Sequence, residues 1–304
     1  MPSQSHFDQN TTHSKISKPY ALRRMLGLGS PLTAAAQLLG VHDVVSARLA
    51  ETAGFDAVWA SSLGLSIVAG RCDRDELSWM QLADAAEQIN EGTSLPVVLD
   101  GNDGCGDINS ARLFARRVAR RGVAGLSIED KKWPRKNSLA GNFDLLDPAT
   151  FAAKLTSCRD ATDVDDFVLV ARTDGLIVGE AVSTVLKRAE IYASSGADAI
   201  IVHSKYPRID EIEGFMADWD GRCPIIAIPT TYSDSPQSTF NKLGLAAVIW
   251  ANQMMRASTE AMRITAGAIL AGSMEARNPG GIDGVEQILA LCNCGLCSPL
   301  RMRP

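Results

Sequence analysis

Nothing in this chain approaches the ~20 consecutive apolar residues that a membrane-spanning helix requires. An excess of positive charge is missing too: 30 Lys and Arg stand against 35 Asp and Glu, a formal net charge of −5. That balance argues against nucleic acid as the main partner. Residues 1–18 are polar and lack the apolar core of a signal peptide, so the compartment expected is the cytoplasm. Histidine is scarce, 4 in 304 residues, and none lies near Cys292-x-Cys294-x-x-Cys297. Three close thiols fall short of the four ligands of structural zinc, which makes a metal or redox cluster the weaker reading of that tail. The 7 cysteines are odd in number and accompany no secretion signal. They point to reduced thiols rather than a disulfide framework. No G-x-G-x-x-G opens a helix after a strand, so dinucleotide binding has no support.

What the chain does have is a rhythm. Residues 1–20 are rich in Ser, Thr, Gln, Asn and His and are expected to form a loose arm. A helix over 20–27 follows, broken by Gly29 and Pro31. Short apolar runs then predict strands at 34–39, 57–60, 96–100, 125–129, 168–172, 199–203, 225–228 and 247–250. Between them, longer periodic stretches predict helices at 43–52, 78–90, 110–121, 147–159, 180–195 and 209–219, around Phe240, and at 254–270. Asp43 is placed to cap the first of these. Gly54, Gly122 and Gly196 each precede a strand as a helix stop. Eight strands alternating with helices predict a (β/α)8 barrel over 21–270, with an open doubly wound sheet as the alternative. About 250 residues is an ordinary size for such a barrel. The segment 271–304 has no clear periodicity until 284–292, and a partner subunit is one place for it to pack.

The strand ends carry the chemistry. Ser61 and Ser62 follow the second strand, with Asp73 and Asp75 on the long loop beyond. Asp100 and Asn102 end the third, Glu129 the fourth, Arg172 the fifth and His203 the sixth; Thr230, Tyr232 and Asn252 follow the last two. A barrel brings all these ends to one rim. Buried carboxylates need a cation, and oxygen donors without nearby Cys or His favour Mg²⁺, with Mn²⁺ as the alternative. Arg172 and His203 supply positive charge suited to an anionic substrate. Taken singly, Asp73 reads as a surface acid, His203 as a core histidine, and Arg172 as the ion-pair partner of Asp174. Their position at successive strand ends is harder to explain by packing.

One stretch goes further. Glu129-Asp130-Lys131, five residues, then Asn137-Ser138 resembles the signature of the phosphoenolpyruvate mutases, in the superfamily that also holds the isocitrate lyases. The likeness extends from about His42 to about Arg263. It implies that Asp100, in Asp100-Gly-Asn102-Asp103-Gly104-Cys105-Gly106, binds Mg²⁺ directly, while Asp73, Asn102 and Glu129 surround the metal's waters. It implies that the backbone after Trp59, at Ser61, Ser62 and Leu63, takes the substrate carboxylate. Arg172 and His203 would grip the phosphoryl group. Lys131, Arg135, Asn137 and Ser138 would belong to a lid whose Asn137 touches that group on closing. The implied reaction moves the phosphoryl group of phosphoenolpyruvate, or of a close analogue, from the enol oxygen to the methylene carbon. This gives phosphonopyruvate, a C–P bond for phosphonate biosynthesis. The resemblance also implies a dimer or tetramer built from pairs that exchange the last barrel helix.

Four positions depart from the family pattern: Asn102 for aspartate, Cys105 for tyrosine, Ser62 for glycine and Arg135 for lysine. The alternatives are a phosphonopyruvate hydrolase, another 2-oxo acid lyase or hydrolase of the superfamily, or a catalytically degenerate barrel used for binding. The hydrolases lack the Asn of the Asn-Ser pair, and the isocitrate-lyase branch carries a lid cysteine that this chain lacks.

Overall fold

The computed structural model describes residues 16–29, 31–139, 142–272 and 282–292. Its order is α1 Lys18–Met25, β1 Ala36–Val41, α2 Val44–Ala53, β2 Ala57–Ala60, α3 Ser62–Val68, α4 Trp79–Gly92 and β3 Val97–Asp100, then α5 Ile108–Arg120, β4 Gly125–Glu129, α6 Pro148–Ala161, β5 Val168–Thr173, α7 Gly175–Val178, α8 Val182–Ser194 and β6 Ala199–Val202. The chain continues with α9 Asp210–Asp218, β7 Ile225–Ala227, α10 Gln237–Lys242, β8 Ala247–Trp250 and α11 Gln253–Leu270. A short helix, α12, spans Val285–Ala290.

All eight strands are parallel, and β1 pairs with both β2 and β8, closing the barrel. The open sheet is thereby excluded. The helices start where local chemistry tells them to. Asp43 and Ser46 form a capping box on α2, as Ser78 and Gln81 do on α4, and Asp107 and Asp147 cap α5 and α6. Gly54 ends α2 with φ 88°, a left-handed turn that glycine enters without a Cβ clash.

The expected strands hold, with β1 shifted two residues to Ala36–Val41. Two helices escaped the sequence reading: α3 and α7 begin within two residues of a strand end and span only 7 and 4 residues, too short for a period to show. The arm expected over 1–20 stops sooner, because Ser17 caps α1 and Lys18 opens it. The Lys18 ammonium donates to the Thr93 carbonyl at 2.7 Å, fastening α1 to the end of α4. Residues 1–15 of the expected arm, Gly280-Gly281, Cys294 and Cys297 lie outside the described residues. Cys292 is exposed.

Two cores result. One lies between sheet and helices, around Phe114, Phe151, Tyr192, Phe215 and Phe240. The other fills the barrel, with Trp59, Val170, Ile201 and Ile249 inside and Leu22 and Leu26 of α1 packed into the same cluster. Because Leu22 meets the first residues of β4 and β5, at Gly125 and Val168, α1 plugs the N-terminal mouth. The other mouth is left to the loops. α11 buries only Met255 and Ala268, while Met262, Ile269 and Leu270 are exposed.

Candidate active site

At the C-terminal mouth the strand ends surround a cavity of about 80 Å³. Its wall includes Trp59, Ser61, Ser62, Leu63, Asp73, Asp100 and Glu129, then Lys131, Arg135, Asn137, Ser138, Arg172 and His203. Of the candidates read from the sequence, Asp75, Asn102 and Tyr232 are absent from the wall; Asn102 is buried, and its Oδ1 has no hydrogen-bond partner among the described residues. Thr230 and Asn252 also line the cavity, with Ile228 and Ala251 between them. Tyr232 does not, and its hydroxyl is buried.

Ser62, where the family resemblance implies glycine, is tied to Asp100. Its Oγ donates to Asp100 Oδ2 at 2.7 Å and its amide to the same oxygen at 3.3 Å. The first amide of α3 is therefore turned to Asp100. Burial pushes the Asp100 carboxyl up, against the pull of Arg172, and neighbouring Glu129 adds to the rise.

The loop after β3 is held by its own backbone. Asn102, Gly104, Cys105 and Gly106 all have positive φ. A Cβ at Gly101 would come within 2.5 Å of Leu126 Cδ1, so only glycine fits there. Asp103 accepts the amides of Cys105 and Gly106 at 2.8 and 3.1 Å. Lys154 donates to the carbonyls of Asp103 and Gly106 at 2.7 and 2.8 Å. Burial, against the nearby Lys154 charge, pushes the Asp103 carboxyl up to about 6. Sequence reading gave neither Asp103 nor Lys154 a role; the Asp-x-x-Asp-Gly spacing was the signal for the first, and nothing local marks the second.

The cationic side is equally dry. Arg172 grips Asp174 with Nε to Oδ1 at 2.9 Å and Nη2 to Oδ2 at 3.3 Å, and Nη2 also donates to Ser138 Oγ at 2.7 Å. Lys131 Nζ lies 2.9 Å from Asp174 and 3.1 Å from Glu129, and donates to Ser138 Oγ at 2.6 Å. Burial alone would raise the Asp174 carboxyl, but Arg172 and Lys131 hold it well below the usual carboxylate range. Arg172 thus has both roles the sequence allowed: it lines the cavity and it is Asp174's partner. Burial, then Arg172, pushes the His203 imidazole down, against the pull of Asp174. Its Nδ1 lies 2.7 Å from Arg172 Nη2 and 3.2 Å from Asp174 Oδ1, and its Nε2 is a buried atom with no hydrogen-bond partner among the described residues.

The loop expected to form a lid lines this cavity through Lys131, Arg135, Asn137 and Ser138. Asn137 Nδ2 donates to Asp73 Oδ2 at 2.6 Å, and Arg135 pairs with Asp73 and with Asp75, the latter at 2.9 Å. Arg135 also comes within 3.8 Å of Glu129. Its guanidinium is the cation that three of the site's acids face. Among the described residues no three His, Cys, Asp or Glu are gathered closely enough to hold a metal ion in this arrangement. The donors nonetheless fit a hard cation: Asp100 offers carboxylate oxygens, and Glu129 Oε1 and Asn102 Oδ1 are buried oxygens without a hydrogen-bond partner among the described residues.

The sequence profile of the family described as phosphoenolpyruvate phosphomutase matches residues 29–270. The chain belongs to that family. It is 42% identical to the phosphoenolpyruvate phosphomutase of Streptomyces hygroscopicus over 258 residues, 84% of this chain and 80% of that one. The crystal structure of a phosphoenolpyruvate phosphomutase from Streptomyces platensis subsp. rosaceus superposes with a TM-score of 0.86 at 30% identity, covering 91% of this chain and 96% of that one. A phosphonopyruvate hydrolase crystallised with oxalate and Mg²⁺ follows at a TM-score of 0.82 and 27% identity, covering 91% and 95%. Packing alone would not leave so many buried polar atoms unpaired around a cavity.

Proposed function

We propose that the chain is a Mg²⁺-dependent phosphoenolpyruvate mutase of the cytoplasm, interconverting phosphoenolpyruvate, or a close analogue, and phosphonopyruvate. The observation that carries this reading is the Asn137–Ser138 pair on a lid that reaches Asp73 and Arg172 across the cavity. In the forward direction the bond from phosphorus to the enol oxygen breaks, its electron pair staying on the oxygen as an enolate. The methylene carbon of that enolate then takes the phosphoryl group and the P–C bond forms. No proton or co-reactant is consumed. A loose, metaphosphate-like transition state asks little covalent help of the protein.

Each side chain then has a task. Arg172, already oriented by Asp174, and the unpartnered Nε2 edge of His203 hold the phosphoryl oxygens while the group travels. The Asn137 amide exchanges Asp73 for a phosphoryl oxygen. Ser138, held by Lys131 and Arg172, fixes the inner end of the lid, and Arg135 fastens its middle to Asp73 and Asp75. The Trp59, Ser61, Ser62 and Leu63 stretch seats the carboxylate. Closure keeps water from the reactive phosphoryl group. Mg²⁺, or Mn²⁺, would be held by Asp100 with Asp73, Asn102 and Glu129 around it, and would supply positive charge to the enolate oxygen. The exposed apolar side chains of α11 support a further part of this reading, a dimer or tetramer in which that helix packs on a partner subunit.

The lid assignment is tested by Asn137→Ala. Its contact is made in the reacting state, so kcat should fall about a hundredfold, roughly 3 kcal/mol, with KM nearly unchanged. Steady-state kinetics with phosphonopyruvate provide the check, and an unchanged kcat would remove Asn137 from the mechanism.

A further inference from the structure

Behind the site lies a buried polar chain that none of the chemistry above uses. Asp130, fully buried between Glu129 and Lys131, accepts the backbone amide of Asp174 on Oδ1 at 3.1 Å and the Tyr192 hydroxyl on Oδ2 at 2.8 Å. Arg188, one turn earlier on α8, donates from Nη1 to the Tyr192 hydroxyl at 3.1 Å and to the Leu146 carbonyl at 3.0 Å. Its other two donors, Nε and Nη2, grip Glu180 at 2.7 Å each. Tyr192 is itself fixed by an edge-on contact with Phe151, ring centroids 4.7 Å apart.

What sets this chain apart from an ordinary buried network is where its ends fall. The lid leaves the barrel at Asp130 and returns at Leu146. The Leu146 amide donates to the Asp130 carbonyl at 2.7 Å, and the Lys132 amide to the Asp144 carbonyl at 2.9 Å. The Asp130 amide in turn donates to the Arg172 carbonyl at 3.0 Å. Asp130 therefore ties the outgoing stem of the lid to two neighbours, its amide to the Arg172 carbonyl and its carboxylate to the Asp174 amide, and one guanidinium ties the returning stem to the same point.

We infer that Tyr192 and Arg188 are positioning residues for the lid. Through Asp130 and Leu146 they pin both stems at the barrel wall, so that Lys131, Arg135, Asn137 and Ser138 move as one loop about a fixed base. Neither touches the cavity. The inference concerns the same lid as the proposed mutase reaction and rests on that reading for its catalytic consequence, while its structural consequence stands apart from the reaction.

Two variants test it. Tyr192→Phe keeps the packing on Phe151 and removes the one hydroxyl that reaches Asp130. Arg188→Lys keeps the charge, but a single ammonium cannot serve Glu180, Tyr192 and Leu146 at once. In each, hydrogen–deuterium exchange at the Lys132 and Leu146 amides should quicken at least tenfold relative to β-strand amides of the same protein. With phosphonopyruvate and Mg²⁺, kcat should fall about tenfold with KM within twofold, and the share of inorganic phosphate among the products should rise as water enters under a looser lid. Folded variants with wild-type exchange at both amides would overturn the inference, whatever the reaction turns out to be. Faster exchange with unchanged kcat and product ratio would also overturn it, leaving the two residues as supports of α8 alone. If the wild-type protein turned over no phosphonopyruvate, the mutase reading would fall while the exchange result still decided the clamp.

Discussion

Arg172 is oriented before any ligand arrives, because Asp174 takes two of its donors and Ser138 shares one of them. Lysine at that position would keep the charge and lose the planar fork, so Arg172→Lys should cost kcat about a hundredfold or more. Near-normal turnover in that variant would mean that Arg172 acts only as a distant charge. Asn102 carries a second prediction at this scale. Its Oδ1 is a buried acceptor with no partner among the described residues, on a backbone at φ 56° that Asn and Asp both tolerate. An aspartate there would add attraction for a divalent ion, offset by burial and by repulsion from Asp100 and Glu129. The expected gain is ~1–2 kcal/mol, or about five- to thirtyfold tighter Mn²⁺ binding for Asn102→Asp. Equilibrium binding of Mn²⁺, followed by its paramagnetic resonance, measures this directly. Equal affinities would show that residue 102 does not face the metal.

At the scale of elements, the strands, the rim and the loop at the cavity were legible while their fine connections were not. The strands are short apolar runs, and β3, β4 and β5 end in a polar residue, a pattern visible without coordinates in Val97-Val98-Leu99-Asp100 or Val168–Thr173. The motif from Glu129 to Ser138 likewise announced the loop whose residues line the cavity. Helices α3 and α7 were missed because one or two turns carry no period, and Ser62's tie to Asp100 was missed with α3. Asp130, Tyr192 and Arg188 were illegible for a different reason. They stand on two elements about sixty residues apart, and nothing local marks their meeting. The same holds for Arg135, whose expected role on the lid did not foretell that its guanidinium would sit among Asp73, Asp75 and Glu129.

The whole molecule adds two expectations. Burial pushes the thiols of Cys158 and Cys223 up to about 12. Since the thiolate is the reactive form, raising the pH to 8 leaves both protonated in the folded barrel. Iodoacetamide at pH 8 should modify exposed Cys72 and Cys292 readily, and Cys158 and Cys223 only in denaturant, with mass spectrometry of peptides as the readout. Helix α11 presents Met262, Ile269 and Leu270 to solvent in one chain, an apolar surface that a partner subunit would cover. Ile269→Lys with Leu270→Glu should therefore lower the molar mass in solution, as light scattering would record, while a single barrel keeps its secondary structure. Underlying all of this is the claim that the rim built by Asp100, Glu129, Asn137, Arg172 and His203 moves a phosphoryl group between oxygen and carbon. Incubating the purified protein with phosphonopyruvate and Mg²⁺ while recording ³¹P spectra tests that claim most directly. Phosphoenolpyruvate should appear as the carbon-bound phosphorus signal declines; inorganic phosphate in its place, or an unchanged spectrum, would contradict the account.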